Sequence, residues 1–105
     1  MTRPLYQLKA EFFKALGHPL RIRVLELLSE RERTVSELLE HVDAEQPHLS
    51  QQLGVLRRGG FVVDRREGAT VVYSLADPRI ADLLALARQM LVDLYTETRD
   101  ELRRS

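Results

Sequence analysis

The sequence predicts a single, mainly α-helical domain with one β-hairpin, in the order of four helices, two strands and a long final helix. Three observations lead to this prediction. Apolar residues recur at helical spacing along most of the 105-residue chain. Residues 34–58 divide into two short helices separated by a break. After Gly59 and Gly60 the apolar period changes from about 3.6 to about 2, the period of a strand, and it returns to about 3.6 after Asp77.

The composition narrows the classes to which the protein can belong. The chain contains no cysteine, which excludes disulfides, thiol switches and thiolate metal sites. No apolar run approaches about 18 residues and the N-terminus has no signal-peptide core, so we expect a soluble cytoplasmic protein. The formal net charge is zero, but residues 46–58 contain no acid. A neutral protein can still present a local basic face, because solvent ions screen distant charges.

The first two helices are separated by a Gly-His-Pro break. Residues 4–16 form the first helix, with an apolar stripe that Phe13 widens beyond one core face. Gly17 ends this helix, and Pro19 begins a second helix of about 11 residues that exposes Arg21. The first helix therefore carries more apolar surface than its own core requires.

The next two predicted helices, over residues 34–58, have the pattern of a helix-turn-helix. Thr34 and Glu37 form a capping box that marks the start of the first of them. Asp43 or Glu45 can cap the second, which buries three leucines, ends at the two glycines and shows a polar outer face without acids. This pattern is typical of proteins whose second helix enters the DNA major groove, and the alternative is an ordinary helical hairpin.

A β-hairpin is predicted directly after these helices, over residues 61–75. Its strands are rich in β-branched and aromatic residues and flank a three-residue connection, Glu67-Gly68-Ala69. Alternation along the strands predicts the inward positions as Phe61, Val63, Val71, Tyr73 and Leu75. Arg65 and Arg66 lie at the tip. A hairpin with a basic tip in this position is a wing, placed to contact the DNA backbone or minor groove beside the second helix.

A long last helix is predicted over residues 78–103, with Asp77 as its cap. Its apolar residues cover an arc wider than one core contact requires. Together with the broad face of helix 4–16, this arc predicts a homodimer through the terminal helices, with an interface formed by Leu5, Leu8, Phe12, Phe13, Leu84, Ala87, Met90, Leu91, Leu94 and Tyr95. The alternative is a long helix that lies across its own domain. A two-fold dimer would place two recognition helices about 34 Å apart and predicts a palindromic operator.

Three segments resemble the ArsR/SmtB family of winged helix-turn-helix repressors, namely FFKALGHPLRIRVLELL (12–28), QPHLSQQLGVLRRGGFV (46–62) and DRREGATVVYSL (64–75). The resemblance implies a homodimeric transcriptional regulator that binds operator DNA and releases it in response to an inducer, often a metal ion. It implies contacts with bases or nearby phosphates by Gln46, His48, Ser50 and Gln51. It implies contacts with the DNA backbone by Arg57, Arg58, Arg65, Arg66 and Thr70. These roles suit the side chains, because Gln can pair with adenine through two hydrogen bonds and Arg suits phosphates.

The chain departs from the family pattern on the recognition helix and at both sensor sites. Gly54 stands where a lysine is common. Thr34 and Ser36 occupy the cysteine positions of the thiolate sensor motif, and Arg79 and Met90 replace ligands of the zinc-type site in the last helix. We therefore expect both sensor sites to be lost.

Three residues remain as candidate metal ligands: His18, Glu37 and His41. Glu37 and His41 are four residues apart on one helix, and the alternative for them is an ordinary surface pair. Nitrogen and oxygen ligands suit nickel, zinc or cobalt, so one of these ions is a candidate effector through a non-standard site between subunits. The competing explanations are an organic ligand, a partner protein or no effector.

The sequence predicts that the protein is not an enzyme. It contains no Gly-rich phosphate loop, no cysteine nucleophile and no nucleophile elbow. The functional prediction is a sequence-specific DNA-binding regulator, a repressor that binds a palindromic operator as a dimer. The alternatives are a dimeric protein-interaction module without DNA binding, or a regulator controlled by an organic ligand or a partner protein.

Overall fold

The computed structural model describes residues 2–104, without the side chains of residues 102 and 104. Within these residues lie five helices and three strands: α1 (Leu5–Leu16), α2 (Pro19–Glu30), β1 (Arg33–Thr34), α3 (Val35–Leu39), α4 (Gln46–Arg58), β2 (Val62–Glu67), β3 (Thr70–Leu75) and α5 (Arg79–Arg104). The strands form one antiparallel sheet in the order β1-β3-β2. The predicted succession of helices and strands is confirmed, and β1 is an addition to it.

The core lies where α2, α3, α4 and the sheet meet. Its largest fully buried side chains are Leu25, Leu27, Leu38, Leu49, Leu53, Leu56, Val24 and Val62. Most of them come from α2 and α4, because apolar residues spaced three and four apart fall on one side of a helix. Arg21 of α2, predicted to be exposed, is half-buried and donates a hydrogen bond to Gln52 of α4 at 2.7 Å.

The predicted capping box of α3 is confirmed. The backbone N–H of Glu37 donates to Thr34 Oγ1, and the Glu37 carboxylate accepts from the backbone N–H of Thr34, each at 3.2 Å. The helix is shorter than its apolar stripe predicts: it ends at Leu39, while Val42 packs on the core from the turn that follows. A stripe at helical spacing therefore continued beyond the helix itself.

The sheet has a third strand that the sequence does not predict. Thr34 pairs with Val72 and Arg33 pairs with Tyr73. The Arg33 side chain is buried, and its Nε donates to the carbonyl oxygen of Leu27 at 3.1 Å. Two residues within a charged link are too few to show an alternating pattern, so this strand had no signal in the sequence.

The start of the wing differs from the prediction at one inward position. The N–H of Phe61 bonds to the Leu56 carbonyl and the N–H of Gly60 to the Arg57 carbonyl, with Gly60 at φ +81°, which is the Schellman ending of a helix. This ending directs Phe61 into the core, and alternation begins only at Val62. The predicted inward position of Val63 is therefore wrong: Val62 is 1% exposed and Val63 is 50% exposed.

The inward positions predicted for β3 are confirmed only in part, because its one buried residue is Val72, which the predicted set leaves out. Tyr73 and Leu75 pack against the core as predicted, while Val71 is half-buried nearer the tip. Because Glu67 pairs with Thr70, the connection has two residues and not the predicted three. Its first residue, Gly68, has φ +62°, as the first position of a type II′ turn requires.

Helix α5 begins at the predicted cap. The Asp77 carboxylate accepts from the backbone N–H of Arg79 at 2.9 Å and pairs with its guanidinium at 2.7 Å. The hydrogen bond from the Arg79 side chain, and then that from its backbone, lower the pKa of Asp77 to about 2. The cap therefore stays charged down to strongly acidic pH.

Most of α5 extends away from the core. Ile80, Leu83 and Leu84 contact the core, but every residue from 85 to 101 is exposed. The radius of gyration, 16.6 Å, exceeds the roughly 13 Å of a compact domain of this length. The alternative in which this helix covers its own domain is therefore wrong beyond Leu84. Within the described residues, no helix is both long and apolar enough to cross a membrane.

We expect Thr34→Ala to lower the free energy of unfolding by about 1 kcal/mol, because it removes the cap of α3. Urea denaturation followed by circular dichroism measures this change. Ser36→Ala is the matched control, since Ser36 is an exposed hydroxyl residue of the same helix. Equal unfolding midpoints for the two variants would contradict the assigned role of the capping box.

Candidate nucleic-acid interface

Helix α4 divides its residues between the core and solvent. Leu49, Gln52, Leu53 and Leu56 are buried. The four residues expected to read bases are all exposed, and we call them the recognition face: Gln46, His48, Ser50 and Gln51. The helix thus presents hydrogen-bonding side chains outward because its leucines hold the opposite side in the core.

The N-terminus of α4 lies beside the recognition face. Glu45 occupies the cap position, but its carboxylate makes no capping hydrogen bond, and the first turn contains no acid. Of the two predicted cap positions, Asp43 and Glu45, the second is therefore the one occupied, and the side-chain bond expected of a cap is absent from the described structure. Free N–H groups at the start of a helix attract anions such as phosphate.

The C-terminal turn of α4 carries two exposed arginines. Arg57 Nη1 lies 3.5 Å from the Asp64 carboxylate of β2, so this end of the helix contacts the wing. Arg58 has no carboxylate partner among the described residues. Its Nη1 lies 3.1 Å from the place where a Cβ on Gly54 would be. Gly54 thus leaves room for the Arg58 guanidinium to lie back along the helix.

The two wing arginines have different surroundings. Arg65 donates two hydrogen bonds of 2.6 Å to Glu32 and one of 2.9 Å to Glu67. The hydrogen bonds with Glu32 and Glu67 raise the pKa of Arg65, and the bond from Arg65 lowers the pKa of Glu32. Arg66 is exposed and has no such partner in the described part of the chain. The Thr70 hydroxyl donates to the Glu67 carbonyl oxygen at 2.8 Å.

Alternation along β2 gives these arginines opposite directions. Side chains two residues apart on a strand lie on the same face of the sheet. Arg66 therefore shares a face with Asp64, which contacts Arg57 of α4, whereas Arg65 lies on the other face with Glu32. Arg66 and the Asp64 partner of Arg57 consequently lie on one face of the sheet.

The terminal helices present the apolar surface that the sequence assigns to a dimer. Phe12 is partly covered, because its ring packs on Phe61 with centroids 4.9 Å apart, and Leu84 packs partly on the core. Leu8 and Ala87 are exposed. The others are more than half exposed: Leu5, Phe13, Met90, Leu91, Leu94 and Tyr95. Sequence reasoning missed three exposed apolar residues beside them, Tyr6, Leu86 and Val92.

All three histidines line one cavity of about 540 Å³ between α2, the turn after α3 and the start of α4. The rings of His18 and His48 have centroids 6.1 Å apart. His18 caps α2, since its Nδ1 accepts from the Leu20 backbone N–H at 3.2 Å. Glu37 belongs to the capping box and pairs with Arg31 at 2.7 Å, apart from His41. Across residues 2–104, no group of three or more His, Cys, Asp or Glu side chains is arranged to hold a metal ion.

A short helix, a turn, a second helix with an exposed polar face and an adjoining basic hairpin define a winged helix-turn-helix domain, a DNA-binding class of protein. Residues 18–63 match the family model described as "Bacterial regulatory protein, arsR family". The chain belongs to the ArsR family of transcriptional regulators, which are not enzymes.

Its relatives are similar along most of their length. The chain is 58% identical over 97 residues to the uncharacterized HTH-type transcriptional regulator Rv0081 of Mycobacterium tuberculosis (strain H37Rv), covering 91% of this chain and 85% of that protein. The crystal structure of Rv0081 matches with a TM-score of 0.85 and 57% identity, over 92% of this chain and 98% of that one. A probable mercury resistance operon repressor of Streptomyces lividans is 43% identical, covering 80% and 67%.

A further solved structure bears on the apolar terminal helices. It is the homodimeric winged helix-turn-helix DNA-binding domain Mb0332 from Mycobacterium bovis, a possible ArsR-family regulator. It matches with a TM-score of 0.75 and 33% identity, over 90% of this chain and 86% of that one. A domain of the same fold therefore exists as a homodimer.

Three residues that pair with side chains of α2, α4 and the wing were not predicted from the sequence: Glu32, Asp64 and Gln52. Glu32 holds Arg65, Asp64 contacts Arg57, and Gln52 bonds to Arg21. Glu32 lies in a charged link without periodicity, and the other two lie within elements whose pattern predicts only inward or outward direction. No local signal in the sequence reports such pairings.

We expect nickel, zinc and cobalt ions to leave DNA affinity unchanged at ten molar equivalents. A metal bound at His18 Nε2 would need a proton on Nδ1, which would break the cap of α2, and Glu37 is committed to Arg31 and Thr34. Fluorescence anisotropy with labelled DNA, with and without each ion, measures the effect. Stoichiometric binding of one ion together with a change in DNA affinity would overturn this expectation.

Proposed function

We propose that the chain is a homodimeric repressor that binds a palindromic operator with sequence specificity and acts in the cytoplasm, where it meets chromosomal DNA. The observation that supports this most directly is that Arg66, the wing arginine without a carboxylate partner among the described residues, lies on the same face of β2 as Asp64. Asp64 in turn contacts Arg57 in the last turn of α4. A DNA duplex that receives the recognition face of α4 in its major groove would meet both arginines at its backbone.

The recognition face suits direct readout of bases. The amides of Gln46 and Gln51 can each donate to and accept from an adenine edge, and His48 and Ser50 can reach neighbouring base edges or phosphates. Arg58 and Arg66 would neutralise phosphates, Arg57 would do so in competition with Asp64, and Thr70 would be a neutral contact on the wing. Arg65 would contribute less, because Glu32 already balances its charge.

The apolar faces of α1 and α5 suit pairing with a second copy of the chain. Six of their predicted interface residues are more than half exposed, and exposed apolar surface on this scale favours association in water. A two-fold axis would repeat the recognition face once per turn of DNA and would match a palindrome. Repression, rather than activation, is proposed because the Streptomyces lividans relative is named a repressor.

We expect Arg66→Ala to reduce the slope of log affinity against log salt concentration by about one, because one phosphate contact is lost. Arg65→Ala should reduce the slope by less than half as much, since Glu32 competes with phosphate for that guanidinium. The measurement is fluorescence anisotropy over a salt series, with DNA selected by the wild-type protein from a random library. Arg99→Ala, near the C-terminal end of α5, is the charge-matched control.

Two outcomes would contradict the proposed DNA interface. One is a slope that neither wing variant changes. The other is a wild-type protein that shows no salt-dependent DNA binding at all, which is the behaviour of a dimeric protein-interaction module.

We expect Leu91→Glu to convert the dimer to monomers and to weaken operator binding on the order of 100-fold, because two linked half-sites become independent. Leu91 is 51% exposed in the single chain, so the substitution should leave the monomer folded. Sedimentation measures the oligomeric state, and circular dichroism measures whether the variant is folded. Thr96→Glu, at an exposed polar position of the same helix, is the control and should remain dimeric. A Leu91→Glu protein that is still dimeric would refute the assigned interface.

A further inference from the structure

Gln52 is the one residue of α4 whose polar side chain is buried among the leucines. It is 7% exposed, whereas its neighbour Gln51 lies on the recognition face. Its Oε1 accepts a hydrogen bond of 2.7 Å from Arg21 Nε. A buried amide without a partner would be costly, so this bond requires Arg21 to be in place.

The same guanidinium reaches a third helix. Arg21 Nη1 donates to the Ala15 carbonyl oxygen, in the last turn of α1, at 3.0 Å. In a continuing helix this carbonyl would accept from residue 19, but residue 19 is proline and has no N–H. Arg21 therefore occupies a carbonyl that the break between α1 and α2 leaves without a backbone partner. Its positive charge also suits the C-terminal end of a helix.

Arginine fixes the relative direction of the two groups it joins. The guanidinium is planar, and Nε and Nη1 donate from a rigid fork. One bond ends on the helix that carries part of the proposed dimer face, and the other ends on the helix that carries the recognition face. Because Arg21 itself belongs to α2, three helices are joined through one side chain.

We propose that Arg21 is a positioning residue that sets the direction of the recognition helix relative to the dimer interface, and so the half-site spacing that the dimer accepts. This inference rests on the proposed function. In a dimer each recognition helix would lie roughly 17 Å from the two-fold axis, half of about 34 Å. A rotation of roughly 10° at that radius displaces the helix by about 3 Å, close to the rise of one base pair. The two hydrogen bonds of Arg21, to Gln52 and to the Ala15 carbonyl, form a link that would resist a rotation of this size.

The test compares spacing preference with general DNA affinity. The wild-type dimer first selects a palindrome from random-sequence DNA, and versions with one base pair added or removed between the half-sites are then prepared. The double variant Arg21→Met/Gln52→Met removes the link and leaves no buried amide unpaired. Gln52→Met alone removes only the bond to α4 and serves as the second variant.

Both variants should remain folded dimers and bind random DNA within about twofold of wild type. They should bind the selected palindrome on the order of tenfold more weakly, and their preference for its spacing should largely disappear. Gln52→Glu, which can keep the link as an ion pair, should restore the preference. Arg23→Met removes the same charge from an exposed position of α2 and should retain wild-type spacing preference.

Two results would overturn the inference while the proposed function stands: a folded variant dimer with wild-type spacing preference, or an equal loss of affinity for the palindrome and for random DNA. The second would make Arg21 an ordinary phosphate contact. A wild-type protein that selects no palindrome would instead refute the proposed function, and this inference with it.

Discussion

Burial of one side of α4 in the core constrains both the recognition face and the wing. Leu49, Leu53 and Leu56 are each at most 1% exposed, and burying a leucine contributes about 1.5–3 kcal/mol against a total domain stability of about 5–15 kcal/mol. With its inner side held so firmly, the helix must present its polar side to solvent. The same burial fixes the wing, because the turn at Gly60 brings Phe61 back beside Leu56 and starts β2 from there.

The zero net charge of the chain conceals a local separation of charge. The recognition helix has no acid, while the segment before it supplies Glu32 and Glu37, each of which holds an arginine. The ion pair with Glu32 balances the charge of Arg65, whereas Arg66 has no carboxylate partner among the described residues. In the proposed DNA complex, attraction depends on Arg58 and Arg66, which have no carboxylate partner among the described residues, and not on the total charge, because screening limits each charge to its surroundings.

The exposed apolar faces of the terminal helices are explained by a second molecule that covers them. The chain measures 59 × 43 × 23 Å, and most apolar side chains of α1 and of the part of α5 beyond Leu84 are exposed. A monomer exposes these side chains at a cost, whereas a two-fold partner with the same faces covers them. The homodimeric relative from Mycobacterium bovis has this fold, so the apolar faces and the family membership lead to the same assembly.

The helices, the capping box, the wing and the exposure of the recognition face could be predicted from the sequence, because periodicity, capping and turn chemistry act between residues a few positions apart. Only the packing of the whole chain fixed the features that depend on distant residues. It placed β1 beside β3, buried Val62 instead of Val63, and joined Arg65 to Glu32 and Arg21 to Gln52 across 33 and 31 positions. Such pairs form only when packing brings two surfaces together, and neither member carries a local pattern that names the other.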